Sequence, residues 1–406
     1  MWIYVWDTEI KWIYLWDTPV KEVYLWDTKV RPKPKTFTIS WTEQSNMSSW
    51  WTYSDDAAWL TAGSTAFDEF FWYSAVKLST AWVETAEVTQ TSSGWAWKLK
   101  ITDLWTITSG DNVMIKFPVR WIKMSKSWSV VTLSITEELN KTWYQYYAHS
   151  TWTLSNPWTP KDAFYLWAYK WCLANPRLKS WSWQRPIMSE TQSTFCTYAK
   201  ANGSWYNIEW FYQRMYVNAL YMMKYWNPNS RSRIWNWYIW WSSAQYTWST
   251  NSITNATWAT NTSTTWRIKL FWLEDRWGNV GEEMWGAYST YKNWWTHIFV
   301  TLNNWSWQAS WWEDTWTVVN YNYNNMSAIA GDNKTMFMSI AWVWNSNYDT
   351  YYSAYSFAGS DNRMPLAWYW YNAWSLAGAL TMTFNYASSQ YDARWGTRLM
   401  YLNWLT

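Results

Sequence analysis

A local cluster of four acidic side chains surrounds one Trp-Gly-Asn turn. Glu274 and Asp275 precede the turn at residues 277–279, and Glu282 and Glu283 follow it. Carboxylate and amide oxygens are the ligands that calcium prefers in proteins. These acids lack the regular spacing of a calcium-binding loop, so the sequence favours turn capping and salt bridges. A structural calcium ion is the one cofactor left open.

The remaining reactive side chains do not form a catalytic set. Cys172 and Cys196 are expected to be small buried side chains, and His149 and His297 are far apart in the sequence. No Ser-His-Asp triad, no carboxylate pair for glycoside hydrolysis and no glycine-rich phosphate loop is selected by the spacing. We therefore expect that the protein is not an enzyme.

The composition narrows the class of partner. The net charge is +3 with 15% charged residues, which gives no electrostatic case for nucleic acid. Eighteen consecutive apolar residues occur nowhere, so no transmembrane helix is expected. The first ten residues include acids, which is unlike a secretory signal peptide.

Tryptophan is far too frequent and glycine too rare. The chain has 50 Trp and 11 Gly, whereas a typical composition would give about 28 Gly. Trp6, Trp16 and Trp26 each precede Asp-Thr at a tight turn, where glycine is the expected residue. We hypothesise that the gene uses UGA for glycine and was translated with UGA as tryptophan. The alternative is a truly Trp-rich protein. Trp277, which a glycine follows, and Trp210, in a helical pattern, are expected to be genuine.

The N-terminal half is predicted to be β-rich. Residues 1–31 are three copies of a ten-residue repeat, WIYVWDTEIK, WIYLWDTPVK and EVYLWDTKVR. Each copy predicts a short strand followed by an Asp-Thr turn, and together they predict a small meander for assembly or anchoring, or else a plain β appendage. Residues 32–35 form a proline-containing linker. Alternating β-formers over residues 36–154 predict a sandwich-like domain.

Residues 155–406 predict a second, mixed domain. Residues 189–202 predict a helix capped by Ser189, and residues 206–225 predict a longer helix. Apolar residues at helical spacing predict one buried stripe on this longer helix, formed by Ile208, Phe211, Met215, Ala219 and Met222. Short strands within Ser-, Thr- and Asn-rich loops follow.

With Gly at most Trp positions, residues 160–401 resemble the C-type-lectin-like domain shared by formylglycine-generating enzymes and the variable proteins of diversity-generating retroelements. The segments that carry the resemblance are DAFYLWAYKW (162–171), the two helices, LFWLEDRWGNVGEEMWG (270–286) and the segment 364–401, which closes on Arg398-Leu399. The N-terminal part looks like phage tail or virion-associated proteins. The predicted fold class is therefore α+β, with an N-terminal β-repeat and a β-sandwich-like domain followed by a C-type-lectin-like domain.

The resemblance implies a function for residues 364–401, hereafter the C-terminal segment. In such variable proteins a reverse transcriptase rewrites adenines in a short 3′ gene segment, and the altered side chains form one exposed binding face. Their types suit binding, since Tyr gives rigid contact area and Ser and Asn give adaptable hydrogen bonds. An ordinary polar surface strand is the alternative. The candidate binding residues are Tyr369, Tyr371, Asn372, Ser375, Thr381, Thr383, Asn385, Tyr386, Ser389, Tyr391 and Asp392. The expected scaffold residues beneath them are Asp275, Trp277, Gly278, Asn279 and Arg398.

We therefore expect a receptor-binding or tail-associated display protein that recognises a host-surface protein or glycan. It would be located on a virion or a cell surface, with virion or surface assembly partners, and homo-oligomeric display would add avidity. A cell-surface or secreted adhesin and a purely structural virion protein are the alternatives. An enzyme of the formylglycine-generating type is a further one, which the absence of cysteine after Cys196 disfavours.

Overall fold

The computed structural model shows a chain built mostly of β-sheet with few helices. It describes residues 14–15, 18–19, 23–25, 28–30, 34–43, 51–79, 84–87, 90–93, 96–99, 112–151, 157, 159–170, 172–174, 176–181, 184–203, 205–228, 230–234, 244, 247, 258–260, 266–302, 312–319, 324–325, 328–338, 355–358, 363–367 and 378–402. Within these residues, no helix combines the length and the apolar character needed to cross a membrane.

The secondary-structure elements have the following bounds. The strands are β1 (Tyr14–Leu15), β2 (Thr18–Pro19), β3 (Val23–Leu25), β4 (Thr28–Val30), β5 (Thr36–Thr42), β6 (Trp51–Asp55), β7 (Ser74–Leu78), β8 (Glu84–Glu87), β9 (Gln90–Ser93), β10 (Ala96–Leu99), β11 (Asn112–Pro118), β12 (Trp121–Ser127), β13 (Val130–Thr136), β14 (Ala163–Trp167), β15 (Cys172–Ala174), β16 (Arg177–Lys179), β17 (Tyr206–Ile208), β18 (Trp258–Thr260), β19 (Trp266–Leu270), β20 (Leu273–Glu274), β21 (Gly281–Glu283), β22 (Ala287–Lys292), β23 (Trp295–Val300), β24 (Glu313–Val319), β25 (Asn324–Asn325), β26 (Tyr355–Ala358), β27 (Arg363–Ala367), β28 (Met382–Ala387), β29 (Trp395–Thr397) and β30 (Leu399–Leu402). The helices are α1 (Ala66–Phe71), α2 (Gln192–Lys200), α3 (Phe211–Tyr225) and α4 (Ser230–Arg233), with a 3-10 turn at Tyr147–His149.

Three large sheets surround α3. A six-stranded sheet has the order β17-β30-β14-β11-β7-β8, and a four-stranded sheet has the order β12-β13-β5-β6. A nine-stranded sheet has the main path β24-β23-β22-β27-β28-β26-β25, with β21 joining β27 to β29. Their apolar side chains share one core, which extends from Phe37 on β5 to Leu402 on β30.

The six-stranded sheet crosses the boundary that the sequence predicts between residues 154 and 155. Strand β11 pairs with β7 along one edge and with β14 along the other. Every residue of β14 is buried. The sandwich-like domain predicted for residues 36–154 is therefore not a separate sheet, because its central strand pairs directly with the region that follows.

Helix α3 is buried on all sides rather than along one stripe, which corrects the sequence prediction. All of its 15 residues are buried. The reason is that neighbours contact it from several directions. Tyr53 on β6 donates its hydroxyl to the Met223 carbonyl (2.8 Å), and the Tyr216 hydroxyl donates to the Pro118 carbonyl at the end of β11 (2.9 Å). A helix enclosed by sheets in this way has no solvent-facing side, so its charged residues need buried partners. Arg214 donates to Glu209, and Lys224 donates to Asp68.

Both predicted helices begin later than the sequence suggested. Helix α2 is capped by Thr191, whose hydroxyl accepts the Thr194 N–H (3.3 Å), and not by Ser189. Ser189 lies in a left-handed turn (φ 66°) instead. The longer helix starts at Phe211 because residues 206–208 form β17 and pair with β30.

The N-terminal repeats form hairpins within a repeat instead of one strand for each repeat. Strand β1 pairs with β2 so that Leu15 faces Thr18, and β3 pairs with β4 so that Leu25 faces Thr28. Each pairing leaves two residues, Trp-Asp, between its strands. Thr18 and Thr28, which the sequence predicted as turn residues, begin the returning strands instead. Copy one of the repeat lies outside the described residues.

Candidate functional site

The C-terminal segment connects two of the large sheets. Strands β27 and β28 pair with each other in the nine-stranded sheet, and β29 pairs in parallel with β21. Strand β30 then enters the six-stranded sheet between β14 and β17. A segment held at so many points can carry an exposed turn in a fixed orientation.

That exposed turn, hereafter the 388–394 turn, joins β28 to β29. Tyr391 is 67% exposed and Ser389 is also exposed. Below the turn, the ring of Tyr386 packs against the buried ring of Trp395, with 4.2 Å between ring centroids. The most exposed candidate side chains thus stand on an aromatic pair that fixes the ends of the two strands.

Asp392 fastens the 388–394 turn. Its carboxylate accepts hydrogen bonds from Arg394 Nε (2.7 Å), Arg394 Nη2 (2.6 Å) and the Arg394 backbone N–H (2.9 Å). The hydrogen bonds from Arg394 hold the pKa of Asp392 below its ordinary value. The Asp392 carbonyl accepts the Ser189 N–H (3.1 Å), which ties the turn to the chain before α2. Asp392 therefore shapes the turn, whereas Tyr391 and Ser389 point to solvent.

Two of the residues predicted for the exposed binding face lie in the interior. Thr381 and Thr383 are buried. The reason is that β28 runs between β26 and β27 as far as Phe384 and reaches the surface only afterwards. Asn385 and Tyr386, just beyond, are half-buried. Four further candidates lie outside the described residues: Tyr369, Tyr371, Asn372 and Ser375.

A group of charged side chains lies in the interior near the C-terminal segment. We call it the buried ion cluster, and its members are Lys170, Glu209, Arg214, Arg276, Glu282 and Arg398. Each is at most 1% exposed. Charges so far from water persist only where opposite charges and hydrogen bonds replace their hydration.

Glu282 is one centre of the cluster. Its carboxylate pairs with Lys170 (3.2 Å), with Arg398 (3.0 Å) and with Arg214. Burial alone would raise the pKa of Glu282, but the surrounding cations outweigh burial and hold the pKa below its usual range. Burial lowers the pKa of Lys170 to about 8 against the opposing effect of Glu282.

Glu209 is the other centre. It accepts hydrogen bonds from Arg276 at 2.7 and 2.9 Å and from Arg214 at 2.9 Å. Arg214 therefore bridges the two carboxylates from the first turns of α3. Burial lowers the pKa of Arg214 to about 10.

Arg398 links the buried ion cluster to the C-terminal segment. It lies between β29 and β30, and it donates to the Trp167 carbonyl (2.5 Å) and the Glu274 carbonyl (2.7 Å) as well as to Glu282. One guanidinium thereby joins the end of β14, strand β20 and strand β21. Planar, multiple donation of this kind is a property that lysine lacks.

The predicted scaffold turn is also interior. The Asp275 carboxylate accepts the Asn279 side-chain amide (2.9 Å), and Gly278 has a φ of 84°. Trp277 is fully buried, with its ring 6.4 Å from that of Tyr221 on α3. The turn thus lies next to α3, immediately before β21 of the nine-stranded sheet.

The four acids around this turn do not converge on a common point. Glu282 belongs to the buried ion cluster, and Asp275 accepts Asn279. Both oxygens of the buried Glu283 carboxyl lack a hydrogen-bond donor, and burial raises its pKa well above the ordinary value. Within the part of the chain that the structure describes, no three Asp, Glu, His or Cys side chains are arranged to hold a metal ion.

Cysteine and histidine occupy structural positions. Cys172 and Cys196 are buried and unbonded to one another, and burial raises the pKa of each thiol to about 12. His149 is fully buried with Nε2 3.2 Å from the Phe117 carbonyl, and burial lowers its pKa to about 3. His297 lies on β23 with Nδ1 3.1 Å from an Asp314 carboxylate oxygen.

The buried ion cluster was missed at the sequence level although a signal was present. Lys170 ends an apolar run, and Arg214 stands inside the apolar pattern of α3. Cations in apolar patterns indicate buried charge, but Glu282, the acid that Lys170 and Arg214 share, is distant from both in sequence. Comparison with known proteins adds no relative, since no protein-family description and no curated protein matches the chain.

Proposed function

We propose that this protein binds a ligand through the surface of its C-terminal segment, as a display protein with a C-type-lectin-like domain. The observation that carries the proposal is the 388–394 turn, which presents Tyr391 and Ser389 to solvent above the Tyr386–Trp395 pair. Exposed tyrosine on a fixed support loses little conformational entropy on binding.

The separation of interior residues from exposed residues within the C-terminal segment supports this proposal. Arg398 and Thr397 are committed to interior hydrogen bonds, with the Thr397 hydroxyl donating to the Glu283 carbonyl (2.7 Å). Ser389 and Tyr391 are only a few residues away and exposed. Side chains on the turn could change without disturbing the interior, which is the property that a diversified segment needs.

The strand pairing holds the two ends of the C-terminal region together. Strand β14, near its start, pairs with β30, near its end, and Phe164 faces Leu402. This pairing fixes both ends of the segment that lies between the two strands. We extend the proposal to a variable protein of a diversity-generating retroelement, displayed in several copies on a phage tail or a cell surface, with a host-surface protein or glycan as ligand.

The test is a binding measurement with a double variant. Tyr391→Ala with Ser389→Ala should reduce binding of the labelled protein to a glycan array and to intact bacterial cells by about tenfold or more, as expected for an aromatic contact residue. Tyr291→Ala is the matched control, since Tyr291 is 52% exposed on β22, outside the C-terminal segment. Equal binding by the double variant and the control would reject the proposed face.

Gene context tests the diversification. A near-copy of the codons for residues 364–401, beside a reverse-transcriptase gene and differing at adenines, is the expected finding. Neighbouring tail genes would support a virion protein, and export or anchoring genes would support an adhesin. Oxidation of a cysteine-containing peptide would favour the enzyme alternative, which the buried, protonated thiols disfavour.

A further inference from the structure

Seven tryptophans have a backbone conformation that suits glycine. Among the described residues, 15 non-glycine residues have positive φ, and seven of these are tryptophan. A bulky residue at positive φ is a genuine outlier, because its Cβ crowds the following carbonyl oxygen. The seven residues are Trp72, Trp128, Trp143, Trp226, Trp272, Trp294 and Trp316.

Three of the seven lie in two-residue hairpin loops. The β22–β23 loop is Asn293-Trp294 with φ values of 49° and 71°, and the β19–β20 loop is Phe271-Trp272 with 49° and 62°. Positive φ at both positions defines a type I′ turn, for which Asn-Gly is a preferred sequence. The β12–β13 loop begins with Trp128 at 56°, the position that glycine takes in a type II′ turn.

Two more end helices. Trp72 follows α1 with φ 50°, and its N–H donates to the Asp68 carbonyl (2.9 Å). Trp226 follows α3 with φ 54°, and its N–H donates to the Met222 carbonyl (3.1 Å). A left-handed residue that closes a helix is usually glycine.

Trp316 lies where β24 departs from regular pairing. His297 faces Val318 but Phe299 faces Asp314, so extra residues are accommodated between them. Trp316 has φ 60° there. One common type of bulge places a left-handed glycine at such a position. Trp143, with φ 70°, lies in the turn before Gln145.

Side-chain exposure separates most of these residues from the core tryptophans. Trp128 and Trp294 are 95% and 84% exposed, and Trp72, Trp143 and Trp316 are also mainly in solvent. Trp277, by contrast, is fully buried and is absent from the left-handed set. Backbone and exposure therefore disfavour tryptophan together at five of the seven positions and favour it at residue 277. At Trp272, which is 2% exposed, and at the half-buried Trp226, the backbone conformation alone indicates glycine.

We propose that the natural polypeptide carries glycine at these seven positions and tryptophan at position 277. This inference is independent of the proposed ligand binding. The structure thereby indicates which tryptophan positions are expected to have UGA codons, whereas the composition indicates only that such positions exist.

The direct test is the gene together with the natural protein. UGA codons at the seven positions and UGG at Trp277, with glycine in the corresponding peptides of the protein from its source, are expected. UGG codons, or peptides with tryptophan at positions 128 and 294, would overturn the inference.

A folding test uses the recombinant chain. Trp128→Gly and Trp294→Gly should each raise Tm by about 1–2 °C, and Trp128→Ala and Trp294→Ala should raise it less, because alanine keeps the Cβ. Trp277→Gly should lower Tm. Equal Tm for the glycine and alanine variants would contradict the assignment. If the parent chain is insoluble, the soluble yield of the sevenfold glycine variant against a sevenfold alanine variant gives the same comparison.

Discussion

The buried ion cluster and the hairpin turns differ in how well their side chains fit their surroundings. In the interior, Glu282 is surrounded by Lys170, Arg214 and Arg398, so each charge meets partners at short distance. At the β22–β23 turn, Trp294 is exposed and its backbone is left-handed. The sequence agrees with the structure in one region and conflicts with it in the other.

This difference indicates which interactions determine the fold. Removing one partner from a buried charge pair costs about 3–5 kcal/mol, whereas a left-handed bulky residue costs about 1–2 kcal/mol. Strand register and the interior can therefore define the fold even where turn residues oppose it. Local and global preferences usually agree in natural proteins, so the conflict at the turns itself calls for an explanation.

The largest expected effect follows from breaking the interior. Arg398→Ala should lower the free energy of unfolding by about 3–5 kcal/mol, because it leaves Glu282 with fewer cations and removes the guanidinium that donates to the Trp167 and Glu274 carbonyls. Chemical denaturation measures the loss. Lys141→Ala is a matched surface control, since its pair with Glu138 is partly exposed and should contribute about 0–1 kcal/mol. Similar losses for both variants would show that the buried ion cluster is not a stabilising centre.

An intermediate effect is expected from His149 in acid. Burial lowers its folded-state pKa to about 3, from an ordinary value of 6.5. The folded state therefore binds fewer protons, and the stability that depends on neutral His149 is present above pH 6.5 and is lost as pH falls towards 3. Between pH 7 and pH 5 the loss should be about 2 kcal/mol.

His149→Gln isolates this contribution. Glutamine can still donate a hydrogen bond to the Phe117 carbonyl but does not titrate in this range. The difference in unfolding free energy between the two proteins should change with pH between 7 and 5, as followed by urea denaturation at each pH. Parallel curves for the two proteins would mean that His149 is hydrated or charged in the folded state.

The fold was predictable where the pattern is local. Alternation predicted the β-rich character, and helical spacing predicted α3, but not its burial on every side. The sheet across residues 154 and 155 was missed because β11 and β14 are joined by a long connection. Periodicity reports which residues are apolar and says little about which distant strands pair.

The candidate site was predictable to a similar degree. The residue types singled out Tyr391 and Ser389, which are exposed, but also Thr381 and Thr383, which are buried. Composition does not show where a strand leaves the interior. The tryptophans at positive φ were predictable only in part. The sequence indicated that glycine suits the Trp-Asp turns, but the φ angles were needed to identify the other individual positions.

The smallest effect is expected at the 388–394 turn. Asp392→Ala removes the pair with Arg394 (2.6 Å), which is about a quarter to a third exposed and should therefore contribute only about 0–1 kcal/mol to folding. Ligand binding should weaken more than folding, because Asp392 holds the backbone beside Tyr391. Urea denaturation and glycan-array binding on the same preparation compare the two. A loss of stability as large as that of Arg398→Ala would place the turn with the interior, and the segment could then not vary its side chains while keeping its fold.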